Sequence, residues 1–266
     1  MDLGLDGKAC AITGASRGIG REVARRLCAE GASTLLVARS ADALDEAARQ
    51  CAAAGGRAEP LALDVTEPEA GERIVATATA SFGQLDVLVN NAGTARWRPL
   101  EEVPDDDWRQ AWELNVMAPL RAMRAAAPAM AERGWGRIVN VSSTAAKRPS
   151  AMMPEYSVAK AAELSLSRLF ADRYAAEGVL VNAVCPGPTK SELWMSEGGL
   201  LDQSQRVGGQ ESREEALEVA GAKRPIGRLA EVKEIADAIV FLCSDRASYV
   251  AGAAWSVDGG TVQVII

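Results

Sequence analysis

The stretch Lys8-Ala9-Cys10-Ala11-Ile12-Thr13-Gly14-Ala15-Ser16-Arg17-Gly18-Ile19-Gly20 joins a short apolar run to a turn that contains three glycines. The next segment, Gly20–Glu30, carries Val23, Ala24 and Leu27 at helical spacing. Glycines let the backbone approach a pyrophosphate closely, and the unpaired N–H groups and dipole at a helix start favour an anion. Such a turn is a weak signal alone, but its place between a strand and a helix indicates a nucleotide site.

The alternation of strand and helix continues along the chain. The predicted strands are Lys8–Thr13, Ser33–Ala38, Glu59–Leu63, Leu85–Val89, Arg137–Val141, Leu180–Val184 and Ala254–Val257. The predicted helices are Gly20–Glu30, Ala41–Ala54, Glu67–Phe82, Asp106–Ala131, the helix that carries Tyr156, and Val232–Cys243. This pattern predicts an α/β fold: one doubly wound Rossmann-type domain over residues 1–266, with a seven-stranded parallel sheet and helices on both faces.

One segment, Glu192–Ala222, does not follow this alternation of strand and helix. It contains four glycines mixed with apolar side chains, namely Gly198, Gly199, Gly208 and Gly209 with Trp194, Met195, Leu200 and Leu201. A loop of this length in a compact domain is usually functional or disordered. Its apolar residues favour a substrate-binding lid at about residues 189–222 that orders over a ligand, rather than a mobile insertion.

Composition narrows the function classes. The 266 residues carry a formal net charge of −7 and no basic run, which argues against nucleic acid or an anionic membrane as a partner. The sequence has no histidine, so a Ser-His-Asp triad, a His-ligated zinc and a His general base are excluded. Acid–base chemistry must therefore use Tyr, Lys, Asp, Glu or Cys.

The five cysteines are odd in number and widely spaced: Cys10, Cys28, Cys51, Cys185 and Cys243. They predict free buried thiols in a reducing compartment rather than a disulfide framework or a metal site. The segment Met1–Lys8 has no signal-peptide pattern, and no apolar run is long enough to span a bilayer. We expect a cytoplasmic protein without a metal.

The segment Tyr156-Ser157-Val158-Ala159-Lys160 places a phenol and an ammonium four residues apart, on one face of a helix. The positive charge favours phenolate, so it should lower the tyrosine pKa from about 10. Alone, this spacing is most often a surface pair. After the strand-like run Arg137–Ser143, in a chain with the glycine turn, it indicates an oxidoreductase site.

The second predicted strand ends in Val37-Ala38-Arg39-Ser40, with no carboxylate where NAD-binding folds usually hold the ribose 2′-OH. Arg39, with Arg17 of the glycine turn, would instead pair with a 2′-phosphate. The alternative is an exposed arginine at a strand end. The sequence therefore favours NADP(H) over NAD(H).

The chain resembles the short-chain dehydrogenase/reductase family over essentially its whole length. The motifs that carry the resemblance, in family order and spacing, are Thr13-Gly14 with Arg17-Gly18-Ile19-Gly20, Asn90-Asn91-Ala92-Gly93, Asn115, Ser143, Tyr156 with Lys160, and Pro186-Gly187. The resemblance implies a cofactor that contacts Asp64-Val65 through adenine, rests on Asn91-Ala92-Gly93, and is held at its carboxamide by Pro186–Ser191. In that last segment Thr189 and Ser191 each offer a hydroxyl.

The residues assigned to the cofactor are Gly14, Ser16, Arg17, Gly18, Ile19, Gly20, Arg39, Ser40, Asp64, Val65, Asn91, Ala92, Gly93, Tyr156, Lys160, Pro186, Gly187, Thr189 and Ser191. By resemblance, Tyr156 is the general acid in carbonyl reduction and Ser143 hydrogen-bonds the substrate oxygen. Lys160 lowers the tyrosine pKa and binds the nicotinamide ribose. Asn115, a poor helix former in a helical stretch, holds a water that links Lys160 to solvent.

Ser143 lies thirteen residues before Tyr156 and is preferred to Ser142, which strand alternation puts on the opposite face. The expected reaction is NADP(H)-dependent hydride transfer between a carbonyl and a secondary alcohol. A regulator that only senses the cofactor is an alternative, but it would be expected to lose these catalytic residues.

The candidate pocket wall is apolar and suggests a partly apolar small-molecule substrate: Trp97, Ala145, Met152, Met153, Trp194 and Met195. Lys147 and Arg148 are charges that would suit an anionic substrate, although solvated loop charges are the more common case. Each apolar candidate is equally compatible with core or surface packing.

Reductases of 3-oxoacyl-carrier proteins resemble this chain, and such a reductase is the alternative function. They typically meet the acidic carrier with arginines where Gly134 and Glu177 stand here, although Arg133 and Arg173 are close by. A free ketone, an alcohol or a CoA-type substrate is at least as compatible with the net charge.

The resemblance also implies a homotetramer built from the Asp106–Ala131 and Tyr156–Ala176 helices and the final strands. The apolar tail Val262-Gln263-Val264-Ile265-Ile266 favours such an assembly, because exposed apolar residues usually need a partner surface. The alternative is a tail packed on its own subunit.

Overall fold

The computed structural model describes residues 2–263 and contains one parallel sheet of seven strands. The strands are β1 (Ala9–Thr13), β2 (Ser33–Ala38), β3 (Arg57–Ala62), β4 (Val87–Asn90), β5 (Gly136–Val141), β6 (Val179–Pro186) and β7 (Ala254–Val257). Their order across the sheet is β3-β2-β1-β4-β5-β6-β7. The predicted doubly wound Rossmann-type sheet is confirmed.

The helices connect the strands and cover both faces of the sheet. They are α1 (Gly18–Ala29), α2 (Ala41–Ala53), α3 (Ala70–Phe82), α4 (Asp105–Trp112), α5 (Ala118–Glu132), α6 (Thr144–Lys147), α7 (Pro154–Tyr174), α8 (Glu192–Met195), α9 (Leu200–Gly208), α10 (Arg213–Ala222) and α11 (Val232–Cys243). A π-helical turn, Glu113–Met117, joins α4 to α5. None of the helices in the described part of the chain combines the length and apolarity needed to cross a bilayer.

Alternation along the strands divides the core into two layers. In β1, Ile12 packs in the layer that contains Leu27 of α1 and Ile239 of α11, whereas Ala11 packs in the layer that contains Met123 of α5. Successive side chains of a strand point to opposite faces, so a strand that is apolar throughout feeds both layers. All five cysteines are buried and free, as predicted.

Several predicted elements differ from the observed ones. The third strand begins at Arg57 rather than Glu59, because its start is fixed by pairing with Ser33 of β2 and not by its own apolarity. The predicted helix Asp106–Ala131 is interrupted by the π-helical turn between α4 and α5. The predicted loop Glu192–Ala222 instead contains α8, α9 and α10, because its apolar residues pack in a small core together with Ala95 and Leu229.

Candidate active site

The candidate site lies where the carboxyl ends of the central strands meet. β1 and β4 are neighbours although they are distant in sequence, so the connections leave them in opposite directions. In open α/β sheets this switch point forms a crevice that binds ligands. The glycine turn follows β1, Asn91 to Gly93 follow β4, Ser143 follows β5, and Gly187 follows β6.

The glycine turn needs its glycines for two physical reasons. Gly14 and Gly18 have φ angles of 66° and 58°, in the left-handed region that favours glycine. A Cβ on Gly14 would also lie 2.8 Å from Asn91 Nδ2 and 2.9 Å from Ala92 Cα. A Cβ on Gly20 would lie 2.5 Å from the Gly14 carbonyl oxygen. The turn is therefore packed against the segment after β4.

Thr13, which the sequence analysis did not single out as a functional residue, joins these two segments. Its Oγ1 accepts hydrogen bonds from the backbone N–H groups of Asn91 and Ala92, each at 3.0 Å. The Asn91 amide in turn donates to the Thr13 carbonyl oxygen at 2.9 Å. This contact needs two strands that are distant in sequence, which is why position in the sequence does not reveal it.

The start of α1 fits an anionic group. Its N-cap residue, Arg17, makes no side-chain capping hydrogen bond, so the first backbone N–H groups of α1 are not capped by that side chain. Such an N-terminus carries the positive end of the helix dipole. Ser16 and Ile19 flank the turn and are each partly exposed. The predicted pyrophosphate-binding residues are thus placed together.

Arg17 and Arg39 are both exposed, and neither forms an ion pair within residues 2–263. Arg39 directly follows β2, and Ser40 caps α2 by accepting from the Ala43 N–H at 3.4 Å. The pKa of Asp64, after β3, is lowered by hydrogen bonds from Thr66 and further by the charge of Arg39. Arg39 therefore lies near the carboxylate that the sequence analysis placed at the adenine, with its charge unpaired.

Tyr156 and Lys160 lie on one face of α7, with Lys160 Nζ 6.0 Å from the tyrosine ring centroid. The ammonium is 2% exposed and donates to the Val141 carbonyl oxygen at 2.8 Å. It also donates to Glu163 Oε2 at 3.0 Å. Sequence reasoning missed Glu163, although its spacing of three residues from Lys160 puts it on the same helix face.

Ser143 is the N-cap of α6, and its Oγ accepts from the Ala145 N–H at 3.1 Å. A hydrogen bond between Ser143 and Tyr156 lowers the tyrosine pKa. Ser142 Oγ instead donates to the backbone carbonyl oxygen of Lys160 at 3.1 Å. The two serines therefore have the different orientations that the sequence predicted, with Ser143 beside the phenol.

Asn115 lies in the π-helical turn and is buried. Its amide donates to the Ala111 carbonyl oxygen at 2.9 Å, while its Oδ1 is buried and accepts no hydrogen bond from the described residues. A Cβ on Gly93 would lie 3.2 Å from this oxygen and 3.8 Å from Lys160 Nζ. The structure thus brings Asn115, Gly93 and Lys160 together, and π-helical turns are frequent at functional sites.

The pKa of Tyr156 differs from the sequence expectation. Burial raises it, and the opposing effects of the Lys160 charge and the Ser143 hydrogen bond do not reverse this direction. Glu163 adds to the rise. Lys160 does lower the phenol pKa, as the sequence predicts, but burial outweighs it and leaves the pKa of Tyr156 above its ordinary value. Sequence spacing includes neither burial nor the neighbouring carboxylate.

The segment after β6 packs tightly against the loop after β7. A Cβ on Gly187 would lie 2.9 Å from Asp258 Cα. The Thr189 hydroxyl donates to the Gly187 carbonyl oxygen at 2.9 Å, so it is already engaged. Ser191 is beside the glycine turn, since a Cβ on Gly18 would lie 3.5 Å from its Cβ. Of the two hydroxyls that the sequence left open, Ser191 faces the cofactor turn.

The predicted lid segment packs in the same apolar cluster as Tyr156. Four candidate wall residues belong to one apolar cluster with the tyrosine: Trp97, Met153, Trp194 and Met195. The Trp97 Nε1 is buried and has no hydrogen-bond partner among residues 2–263. An ion pair of 3.0 Å between Glu192 of α8 and Arg21 joins this segment to α1.

The other residues predicted to line the substrate pocket are not part of this apolar cluster. Lys147 Nζ donates to the Ala254 carbonyl oxygen at 2.6 Å and to Ser256 Oγ at 2.9 Å, so it is tied to β7. Arg148 is exposed. The backbone carbonyl oxygen of Met152 accepts a hydrogen bond from the Arg98 N–H at 2.8 Å. Ala145 is buried at the start of α6.

Comparisons with known proteins identify the family of the chain. A family model described as Enoyl-(Acyl carrier protein) reductase matches residues 14–262. The chain is 34% identical to the 3-oxoacyl-[acyl-carrier-protein] reductase FabG of Salmonella typhimurium, over 98% of this chain and 100% of that protein. It is 39% identical to the galactitol 2-dehydrogenase (L-tagatose-forming) of Cereibacter sphaeroides, over 96% of this chain and 95% of that protein.

A solved structure, L-sorbose reductase from Gluconobacter frateurii complexed with NADPH and L-sorbose, is 37% identical and has a TM-score of 0.92. The match covers 100% of both chains. Three observations lead to one conclusion: the crevice at the switch point of the sheet, the Tyr156–Lys160 pair, and the full-length similarity to these proteins. The chain belongs to the short-chain dehydrogenase/reductase family of oxidoreductases, which interconvert carbonyl and alcohol groups.

Proposed function

We propose that this protein is an NADP(H)-dependent oxidoreductase that reduces a small hydroxylated ketone, or oxidises the corresponding secondary alcohol. One observation carries the proposal. Tyr156, Ser143, Lys160 and Asn115 converge at the carboxyl ends of β4 to β6, beside a glycine turn that opens onto the uncapped start of α1. This arrangement supports a proton donor beside a crevice that would bind a dinucleotide.

The residues divide the proton chemistry among them. When bound, the nicotinamide cofactor supplies or accepts the hydride. In reduction, the Tyr156 hydroxyl gives its proton to the substrate oxygen, and in oxidation the phenolate takes it back. Ser143 orients that oxygen by a hydrogen bond. The Lys160 ammonium stabilises the phenolate, and the side-chain Oδ1 of Asn115, near Gly93, offers a water an acceptor that none of the described residues uses.

NADP(H) is the cofactor that the charges favour. Arg39 and Arg17 would hold the 2′-phosphate by charge-assisted hydrogen bonds, and Asp64 with Val65 would meet the adenine. The crevice would hold the rest of the dinucleotide through the glycine turn, the Asn91–Gly93 segment and the Pro186–Ser191 segment. The NADPH bound to L-sorbose reductase supports this choice.

The side chains around Tyr156 are compatible with a sugar-like or polyol-like substrate. Trp97 and Trp194 offer aromatic faces for a carbon skeleton, and the unpaired Trp97 Nε1 offers a donor for a hydroxyl group. Galactitol and L-sorbose appear in the names of two of the similar proteins. These observations support a compact hydroxylated substrate whose carbonyl carbon lies at the site.

A 3-oxoacyl-carrier-protein reductase is less well supported. Arg133 donates to the Leu85 carbonyl oxygen at 2.5 Å, and Arg173 pairs with Glu177. Both nearby arginines are therefore engaged within the chain. With a net charge of −7, the protein offers little attraction to an acidic carrier. A regulator without catalysis is disfavoured because all four catalytic-type side chains are present and assembled.

The segment from about residue 189 to 222 is proposed as the substrate lid. Trp194 of this segment belongs to the apolar cluster that Tyr156 packs against, and the Glu192–Arg21 ion pair joins the segment to α1. Both side chains of this ion pair are 34% exposed, so it contributes little stability and can open.

We further propose a cytoplasmic homotetramer. Five reduced, buried thiols fit a reducing compartment. Exposed Trp112 on α4, with Val158 and Leu169 on α7, places apolar surface on the helices expected to pair. The tail residues Val264–Ile266, which the sequence analysis assigned to an interface, lie outside the described residues.

The test is a screen of hydride transfer with both cofactors. Ketoses, polyols, simple ketones and an acyl-carrier thioester are each offered with NADPH or NADH, and with the oxidised cofactors for the alcohols. We expect turnover with NADPH and a ketose or related hydroxyketone. Activity confined to the acyl-carrier thioester would support the alternative. No hydride transfer to or from any compound would contradict the proposed function.

A further inference from the structure

Glu163 is a buried carboxylate that the reaction described above does not use. It lies on α7, and its Oε2 is 3.0 Å from Lys160 Nζ, with both side chains 2% exposed. Within residues 2–263 it forms the only ion pair in which both side chains are buried. A buried charge is costly unless an opposite charge balances it, so this carboxylate is tied to the lysine.

The carboxylate helps to fix the orientation of the ammonium. A lysine ammonium has three donors. One reaches the Val141 carbonyl oxygen at 2.8 Å and a second reaches Glu163 at 3.0 Å. The third remains for a ligand or for Tyr156, whose ring centroid is 6.0 Å away. Without Glu163, the Val141 carbonyl oxygen alone would orient the ammonium, and the other two donors would have no fixed partner.

The backbone of α7 at Glu163 is connected to the sheet. The Glu163 carbonyl oxygen accepts from Ser167 Oγ at 3.0 Å. Ser167 Oγ accepts from Asn140 Nδ2 at 2.7 Å, and Asn140 Oδ1 accepts from Asn90 Nδ2 at 2.8 Å. All four residues are buried. This line of hydrogen bonds connects the turn of α7 that carries the ion pair to β5 and β4.

Few titratable groups face the pair. They are Tyr156 on the same helix and Cys185 on β6. Burial raises the pKa of Cys185 to about 11, so its thiol is neutral near pH 7. Burial raises the pKa of Tyr156, Lys160 opposes this rise, and Glu163 adds to it. The two charges that act on the phenol therefore have opposite signs.

We propose that Glu163 is a positioning residue for the proton transfer: it fixes the Lys160 ammonium and offsets part of its charge, so that Tyr156 stays a proton donor and the site favours carbonyl reduction near neutral pH. The inference rests on the proposed oxidoreductase function. Glu163 acts through Lys160 and has no contact with the reacting atoms.

The variant Glu163→Gln removes the charge and keeps the shape. Without the negative charge of Glu163, the pKa of Tyr156 falls. In the pH profile of kcat/KM for alcohol oxidation, the acid-side limb therefore moves to lower pH. We expect a shift of up to about one pH unit, below the ~1–3 units typical of a charge in direct contact, because Glu163 touches Lys160 and not the phenol. Glu46→Gln, on the exposed face of α2, is the matched control and should not move the limb. An unshifted limb in Glu163→Gln would overturn the inference.

A second readout needs neither cofactor nor substrate. The chain has three tyrosines, so the absorbance titration of the protein minus that of its Tyr156→Phe variant isolates Tyr156. The same difference in the Glu163→Gln background should show ionisation at lower pH. An unchanged titration would contradict the role of Glu163, whereas failure of the substrate screen alone would contradict only the proposed function.

Loss of folding in Glu163→Gln has its own test. That variant leaves Lys160 as an unpaired buried charge, and adding Lys160→Met removes the charge. We expect the double variant to have a higher Tm than Glu163→Gln alone. A double variant whose Tm loss equals the sum of the two single losses would show no coupling and would refute the pairing.

Discussion

Replacing Arg39 by Asp is expected to weaken NADPH binding at least tenfold and to leave NADH binding unchanged or stronger. Arg39 is exposed, follows β2 and has no ion-pair partner in the described part of the chain. Its whole charge is therefore available to a 2′-phosphate. The new carboxylate would repel that phosphate and could accept a hydrogen bond from a ribose 2′-OH.

The magnitude follows from one charged hydrogen bond. Such a bond contributes about 1.5–3 kcal/mol, or roughly one to two decades in affinity. Solvent screening at an exposed position favours the lower end of this range. Asp64 adds to the repulsion, because hydrogen bonds from Thr66 lower its pKa and keep it ionised. A loss of about tenfold is the expected minimum.

The assay is a fluorescence titration of NADPH and NADH at low and moderate salt. Arg49→Asp is the matched control, because Arg49 lies on α2 with its side chain 73% exposed and pairs with Glu46. It should change neither affinity beyond a small salt-dependent effect. Equal affinities of the unmodified protein for the two cofactors, or no change in Arg39→Asp, would refute the assignment of Arg39.

Three further predictions concern the turn, the lid and the pH dependence. Gly14→Ala should lose dinucleotide binding in a calorimetric titration, because the left-handed φ of 66° and the contact with Ala92 Cα both oppose a side chain; unchanged binding would show that the turn is not the site. Hydrogen exchange in residues 189–222 should slow when cofactor and substrate bind, and Glu192→Gln should speed exchange in the free protein; equal protection in all states would exclude a lid. Because the Tyr156 pKa is raised, the phenol is protonated at neutral pH. Therefore kcat/KM for reduction should be flat near neutral pH and fall at alkaline pH, while kcat/KM for oxidation should rise with pH. A kcat/KM for reduction that falls below pH 7, together with a kcat/KM for oxidation that does not change with pH, would contradict the assigned protonation of Tyr156.

Strong periodicity and turn chemistry made much of the fold predictable. The bounds of β2, β7 and α11 match the sequence prediction, because each is an apolar run or helical pattern bounded by polar or turn residues. The position of Tyr156 and Lys160 on one helix face also follows from helical spacing alone. Local sequence was enough for these features.

Other features depend on contacts between distant segments. The π-helical turn at Asn115 changes the backbone hydrogen-bond register without an obvious sequence signal. The clamp from Thr13 to Asn91 requires β1 and β4 to be neighbours. The helices α8 to α10 share their apolar cluster with Ala95, which lies far earlier in the sequence. None of these contacts can be inferred from a local window.

Electrostatics was the least predictable property of the site. Sequence spacing supplied the charge of Lys160 but neither the burial of Tyr156 nor the carboxylate of Glu163, and both of these raise the phenol pKa. The spacing of Lys160 and Glu163 does indicate a shared helix face. Whether that face is buried or exposed depends on how α7 packs on the sheet, and this decides between a surface pair and a buried one.

The central claim is that Tyr156 transfers the proton during hydride exchange between a nicotinamide cofactor and a carbonyl. The most direct measurement compares turnover of the unmodified protein and Tyr156→Phe on the best substrate of the screen, together with NADPH affinity. General acid catalysis is worth about 10²–10⁴-fold, so turnover should fall by that factor while the affinity changes little. Turnover in Tyr156→Phe close to that of the unmodified protein would contradict the account.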